Sequence, residues 1–228
     1  MTTAVPQGTV VAIDGPAGAG KSTVGRRLAT VLGLGYLDTG AMYRAVTVAV
    51  LRRGVEPADD DAVAEVSRTI DLRVDDQQVV VDGVDVTVEI RSRDVTGAVS
   101  AIAANSAVRR ELVARQRAWV GDHGGAVVEG RDIGTVVFPD ALLKAYVTAS
   151  PRVRAERRVA EIGGSVDDVE ASIVERDRKD SSRADSPLRA GADAVTVDTS
   201  DLPIDAVVDE LVAVVHMRIA STGAGEES

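Results

Sequence analysis

Residues 9–23 read Thr-Val-Val-Ala-Ile-Asp-Gly-Pro-Ala-Gly-Ala-Gly-Lys-Ser-Thr. Within them, residues 15–22 satisfy the spacing G-x-x-x-x-G-K-[ST]. They follow an apolar, β-branched strand pattern at residues 10–13 and open an amphipathic helix pattern over residues 21–32, which is the context this motif requires. The glycines let the backbone curl until its N–H groups converge on phosphate oxygens. Lys21 adds a point charge, Ser22 offers a hydroxyl to Mg2+, and the start of the helix supplies partial positive charge. The expected nucleoside triphosphate contacts are Gly15, Pro16, Ala17, Gly18, Ala19, Gly20, Lys21, Ser22 and Thr23, with Ser22 also on the metal.

Outward from this loop, further apolar runs at residues 36–37, 126–128, 142–147 and 194–197 alternate with helical patterns. Such runs indicate an α/β fold, a parallel sheet of about five strands covered by helices on both faces. Ser150-Pro151 is an N-cap followed by a first-turn proline, ahead of a helix over residues 152–162. Ser165-x-x-Asp168 has the form of a capping box, and Pro203 begins a last helix. One stretch breaks the rhythm. Residues 71–75, 78–82 and 85–88 alternate like short strands separated by Asp-Asp and Asp-Gly, which predicts a small inserted antiparallel sheet. The expected organisation is a core of residues 1–59 and 101–228, with an inserted acceptor-binding lobe at 60–100. The core is expected to carry a lid at about 150–165 and a disordered tail at 221–228.

The chain of 228 residues has no cysteine, which excludes disulfides, thiolate metal sites and a cysteine nucleophile. Its beginning lacks the pattern of a secretory signal and no apolar run reaches membrane-spanning length, so a cytoplasmic protein without a membrane is expected. Net charge is −10, which argues against nucleic acid as a partner. The cations are mostly arginine, whose planar fork suits phosphate; a compositional preference for arginine would look the same.

Asn105 is the only asparagine and Ser106 follows it, so the guanine-reading N-K-x-D motif of switch GTPases is absent. Three other segments carry polar residues in patterns suited to a second anionic substrate. They are Asp38-Thr39-Gly40-Ala41-Met42-Tyr43-Arg44, Glu129-Gly130-Arg131-Asp132-Ile133-Gly134-Thr135-Val136-Val137, and Arg176-Asp177-Arg178-Lys179-Asp180-Ser181-Ser182-Arg183. In the last, Arg176, Asp180 and Arg183 fall on one helical face.

In order and spacing, these segments resemble the bacterial cytidylate kinases. That family has Asp-Gly-Pro-x-Gly-x-Gly-Lys, here from Asp14, and Asp-[Ser/Thr]-Gly-x-x-Tyr-Arg, here from Asp38. It continues with Gly-Arg-Asp-x-Gly-Thr-Val-Val-Phe-Pro at residues 130–139 and Arg-Asp-x-x-Asp-x-x-Arg at residues 176–183. The resemblance implies a P-loop nucleotide kinase that transfers the γ-phosphoryl of ATP to CMP or dCMP in pyrimidine nucleotide metabolism. It implies that Arg44, Arg131 and Arg183 clamp the acceptor phosphate, that Ser100 and Arg109 read cytosine, and that Arg176 and Asp180 bind the sugar. Thr39 would support the base or the phosphate loop.

Lys21, Arg131, Asp132, Arg157 and Arg183 are the expected catalytic set, with Asp132 also at the acceptor. Asp14, Asp38 and Asp132 are candidates for the metal's water shell, and Asp14 could equally brace the loop from behind. Arg157 comes from the run Arg152, Arg154, Arg157, Arg158, which also fits a solvated helix face. Arg176 and Asp180 also fit a surface ion pair. A monomer is expected, since closure around two nucleotides needs no second chain. The alternatives are a kinase of the shikimate or gluconate type and a slowly hydrolysing regulatory module.

Overall fold

The computed structural model describes residues 5–75, 77–183 and 185–223. The chain divides into two compact units, Met1–Tyr36 with Val120–Ser228, and Leu37–Trp119. The elements run β1 (Thr9–Asp14), α1 (Lys21–Leu32), β2 (Gly35–Asp38), α2 (Thr39–Arg52), α3 (Asp60–Thr69), β3 (Leu72–Val74), β4 (Val79–Val81) and β5 (Val84–Asp85). Next come α4 (Arg93–Ala104), α5 (Ser106–Asp122), β6 (Gly125–Gly130), β7 (Leu143–Thr148), α6 (Pro151–Ile162), α7 (Val166–Ser181), β8 (Val195–Asp198) and α8 (Ile204–Gly223).

The main sheet has five strands in the order β2-β6-β1-β7-β8. Strand β1 lies parallel between β6 and β7, with Ile13 opposite Glu129 and Asp14 opposite both Gly130 and Tyr146. Every residue of β6 is buried, as a central parallel strand covered on both faces requires. Beneath this sheet, Leu28 of α1 and Leu211 of α8 are fully buried in one cluster with Val11, Ile13, Val127, Leu143 and Val147. The carboxyl ends of β1 and β6 thus deliver Asp14 and Gly130 side by side, where open α/β sheets bind ligands.

The helix signals in the sequence are realised locally. Ser150 accepts the Val153 N–H, with Pro151 at the first helical position of α6. Ser165 accepts the Asp168 N–H at the start of α7. Helix α7 ends at Ser181, so Arg183 lies just past it rather than on its face. Of the tail expected to be disordered, residues 221–223 belong to α8 and 224–228 lie outside the described residues.

The second unit, Leu37–Trp119, reaches beyond both ends of the 60–100 segment. Its sheet is antiparallel, in the order β3-β4-β5. Asp82 (φ 50°) and Gly83 (φ 78°) both take positive φ between Val81 and Val84, the two-residue turn whose twist matches paired strands. Trp119 of α5 donates its indole N–H to the Val74 carbonyl at 3.1 Å, and Arg115 donates to the carbonyls of Ser67, Arg68 and Ile70 at the end of α3. The insertion is thereby tied to α5 within its own unit.

Leu211→Ala would leave a cavity between α8 and the sheet, since Leu211 is fully buried. The expected cost is about 2–5 kcal/mol, read as a lowered urea midpoint with the slope unchanged.

Candidate active site

The phosphate loop takes the shape its glycines permit. Gly15 has φ 146°, and a Cβ there would stand 1.9 Å from the Val147 carbonyl oxygen, so β7 passes too close for any side chain. Gly20, at φ 86°, is the residue before the first turn of α1. Lys21 is buried, and its ammonium donates to the Pro16 carbonyl at 2.8 Å, lying back across the loop. The Ser22 hydroxyl donates to Glu129 Oε1 at 2.8 Å. Glu129 is buried at the end of β6, beside the strand that carries the loop.

Asp14 is engaged by the backbone of the segment that follows β6. Its Oδ1 accepts the Ile133 N–H at 2.7 Å and its Oδ2 accepts the Gly134 N–H at 2.8 Å. Both oxygens therefore brace the segment after Arg131-Asp132, and the loop is held from behind. Burial raises the Asp14 pKa to about 6, against the two N–H bonds, which lower it. Asp132 is also buried and heads a π-helical turn, Ile133–Val137, its carbonyl accepting the Val136 N–H at 2.9 Å. The Asp38 carboxylate caps α2, Oδ1 accepting the Ala41 N–H at 3.0 Å.

Two of the three arginines predicted on the acceptor side, Arg131 and Arg183, meet at Asp180. This carboxylate is 2% exposed and binds Arg131 Nε at 3.2 Å and Arg183 Nη2 at 2.6 Å. Helical spacing suggested Arg176 as the ion-pair partner of Asp180. The pairs formed instead join a residue after β6 and one past the end of α7.

The arginine run on α6 separates into two sets. Arg152 pairs with Asp167, Glu170 and Glu156, and Arg158 with Glu161, all partly exposed; these are the solvated charges. Arg157 faces inward, donating from Nη1 to Thr199 Oγ1 at 3.1 Å and from Nη2 to the Thr199 carbonyl at 2.6 Å. Thr199 Oγ1 in turn donates to the Ala19 carbonyl of the phosphate loop at 3.0 Å. Arg154, on the same side, reaches the Ala17 carbonyl at 3.2 Å.

The second unit places its own candidates on helices that share contacts. Thr39 is buried at the first position of α2. Arg44 of α2 donates to the Ile90 carbonyl and to Thr96 Oγ1, both at 3.0 Å. Arg109, the fourth residue of α5, is buried; it donates to the Ala103 carbonyl at 3.4 Å and lies 5.8 Å from the centre of the Tyr43 ring. Ser100 is half-buried on α4, one turn before Ala103.

The sequence places Glu129 in a polar segment and Arg154 in an arginine run but gives neither a role, and it does not single out Tyr146 or Thr199. Tyr146 sits inside an apolar strand run, which hides it. Tyr146 lies opposite Asp14, and burial, followed by the Asp177 carboxylate, pushes its phenol pKa up, so it keeps its proton. Thr199 carries no local signal.

A sequence profile of the cytidylate kinase family matches residues 11–217. The cytidylate kinase of Mycobacterium avium is 51% identical over 92% of this chain and 96% of its own. That of Nocardia farcinica is 53% identical over 95% of this chain and 97% of its own. Among solved structures, a gluconokinase from Sinorhizobium meliloti superposes with a TM-score of 0.53 at 16% identity, covering 98% of this chain and 100% of that one. At that identity the likeness concerns the fold alone.

The raised pKa of Asp14 gives a pH dependence. The native state holds this proton more tightly than the unfolded chain does, whose carboxyl titrates near 3.8. The resulting stabilisation is fully present below that value and is lost as pH rises through about 6. Relative to Asp14→Asn, which lacks the proton, the wild type should therefore lose stability from pH 4 to pH 6, read as the difference between the two urea midpoints.

Proposed function

The chain belongs to the cytidylate kinase family, ATP-dependent phosphotransferases that phosphorylate CMP, and from that premise we propose how its residues divide the work. The supporting observation is the joint placement of a phosphate loop and the Arg131–Asp180–Arg183 cluster in one compact unit.

The attacking atom is an oxygen of the acceptor's phosphate. With a second pKa of about 6 it is already largely deprotonated at neutral pH, so a strong general base is unnecessary. The barrier lies instead in bringing two anions together and in spreading charge over the transferring group. The bond from γ-phosphorus to the ADP oxygen breaks as the bond to the acceptor oxygen forms, giving ADP and CDP.

Lys21 and the loop backbone hold the donor phosphates. Arg131 and Arg183 hold the acceptor phosphate, and Asp180 fixes both guanidinium groups before the substrate arrives, which reduces the reorganisation needed at transfer. Arg157, held by Thr199 beside the start of α1, is the lid arginine that reaches the transferring group. Asp180 and Arg176 face the sugar, and dCMP is accepted as well as CMP. In the second unit Ser100 and Arg109 read the base, Arg44 serves the acceptor phosphate and Thr39 supports them.

Mg2+ fits the oxygen pair formed by the Ser22 hydroxyl and the Glu129 carboxylate, since this ion takes few protein ligands beside substrate phosphates. Among the described residues no group of three or more acidic or histidine side chains gathers to hold a metal alone. When bound, the ion neutralises charge on the β- and γ-phosphates. Ser22 supplies one oxygen and Glu129 orients it.

Among the described residues no helix is long and apolar enough to cross a membrane. We place the protein in the cytoplasm and read it as a monomer.

ADP release from Mg-ATP, with CMP, dCMP, UMP, AMP and shikimate offered separately, tests the acceptor. Strong release with CMP and dCMP and little without an acceptor is expected; release with CMP but not dCMP would remove the deoxy substrate. Glu129→Gln should raise the Mg2+ concentration for half-maximal turnover by about 10–100-fold, as loss of a metal-orienting partner does. An unchanged Mg2+ requirement would take Glu129 out of the site.

A further inference from the structure

Arg154 of α6 reaches two backbone carbonyls and one carboxylate, each on a different segment. Its side chain is 4% exposed. Nε donates to the Ala149 carbonyl just past β7 at 2.9 Å, and Nη1 to the Ala17 carbonyl inside the phosphate loop at 3.2 Å. Nη2 binds Asp177 Oδ2 of α7 at 2.7 Å. The loop is also pressed against this residue: a Cβ on Gly18 would come within 3.3 Å of Arg154 Cβ.

Only a planar fork with several fixed donors can serve these three acceptors together; a lysine ammonium at the same place lacks that geometry. At the far end, Asp177 lies one helical turn before Asp180, on the same side of α7. Asp180 holds Arg131 and Arg183. A continuous path of charge-assisted bonds and one rigid turn therefore runs from the phosphate loop to the acceptor-phosphate arginines, wholly within one compact unit. Among the described residues, Asp177 Oδ1 is buried without a hydrogen-bond partner, so Arg154 is what ties this carboxylate down.

We infer that Arg154 and Asp177 are a positioning pair that sets the phosphate loop and α7 against each other, so that occupation of the donor site tightens binding of the acceptor. This rests on the proposed assignment of Arg131, Asp180 and Arg183 to the acceptor. The pair touches neither reacting atom. A donor whose phosphates draw on the loop backbone also biases the Ala17 carbonyl, Arg154, and through Asp177 the turn that carries Asp180. Coupling of this kind is reciprocal: the acceptor must tighten the donor by the same factor.

The test is calorimetric titration of CMP into the intact protein, with and without a saturating non-hydrolysable imido analogue of ATP with Mg2+. The wild type should bind CMP at least about fivefold more tightly with the analogue present. In Asp177→Asn, which keeps the shape but loses the charge, and in Arg154→Lys, which keeps the charge but loses the fork, that factor should fall below about twofold. CMP affinity without the analogue should change far less than the coupling does. The double variant should be no worse than either single one, because both remove the same bridge.

No coupling in the wild type, coupling retained in both variants, or additive losses in the double variant would overturn the inference. So would a lowered melting temperature with coupling intact, which is the signature of a merely structural bridge. Asp180→Asn separates this from the acceptor assignment. Unchanged CMP binding without the analogue in that variant would overturn the assignment itself, whereas weakened binding there with coupling retained in Asp177→Asn would overturn only the positioning pair.

Discussion

The Asp14 carboxylate, buried at the end of the central strand, accepts the N–H groups of Ile133 and Gly134, and so ties the phosphate loop's strand to the segment that follows Arg131 and Asp132. Burying a carboxylate is costly unless its oxygens are satisfied. Here both are satisfied by consecutive backbone donors, so the segment carrying Arg131 and Asp132 cannot drift relative to the phosphate loop that begins at the next residue. Asp14 is thus a structural brace whose position makes the chemistry possible. Its raised pKa follows from the same burial.

Around this brace the site is organised by backbone more than by side chains reaching for substrate. The phosphate loop is approached by β7 at Gly15, crossed by Lys21 to the Pro16 carbonyl, and touched by Arg154 at Ala17 and by Thr199 at Ala19. Each contact removes a way for the loop to relax. A loop that must accept several negative charges benefits from such constraint, because donors already in place need no rearrangement as charge moves in the transition state. The same logic holds at Asp180, where one buried carboxylate orients two arginines. Without that carboxylate their like charges would repel.

The second unit joins a buried apolar core, with Ile90, Ile102, Val108 and Leu112 in it, to side-chain bonds that fix its small sheet. Its three strands are short, and Arg115 and Trp119 of α5 supply the hydrogen bonds that tie α3 and β3 down. The Asp82-Gly83 turn supplies the strand-matching twist. Arg109 on the same helix is buried next to Tyr43 and the Ala103 carbonyl, so α5 both anchors the insertion and carries a candidate base-reading residue.

What was legible in the sequence was whatever depends on neighbours along the chain. The strand–loop–helix at residues 9–32, the Ser150 and Ser165 caps and the Asp-Gly hairpin are local devices, and local sterics and hydrogen bonding specify them. The order of the four motifs was sufficient for the family. Tertiary structure alone decided the partners of the charged groups. Asp180 binds Arg131 from 49 residues away, Arg157 binds Thr199, and Arg154 reaches a loop 137 residues away. An arginine on a helix has the same local preferences whether it meets solvent, a carboxylate or a distant carbonyl. Which of these it meets is set by where the sheet brings other segments, and that arrangement arises from burying the whole apolar core at once, information that no short stretch of sequence contains.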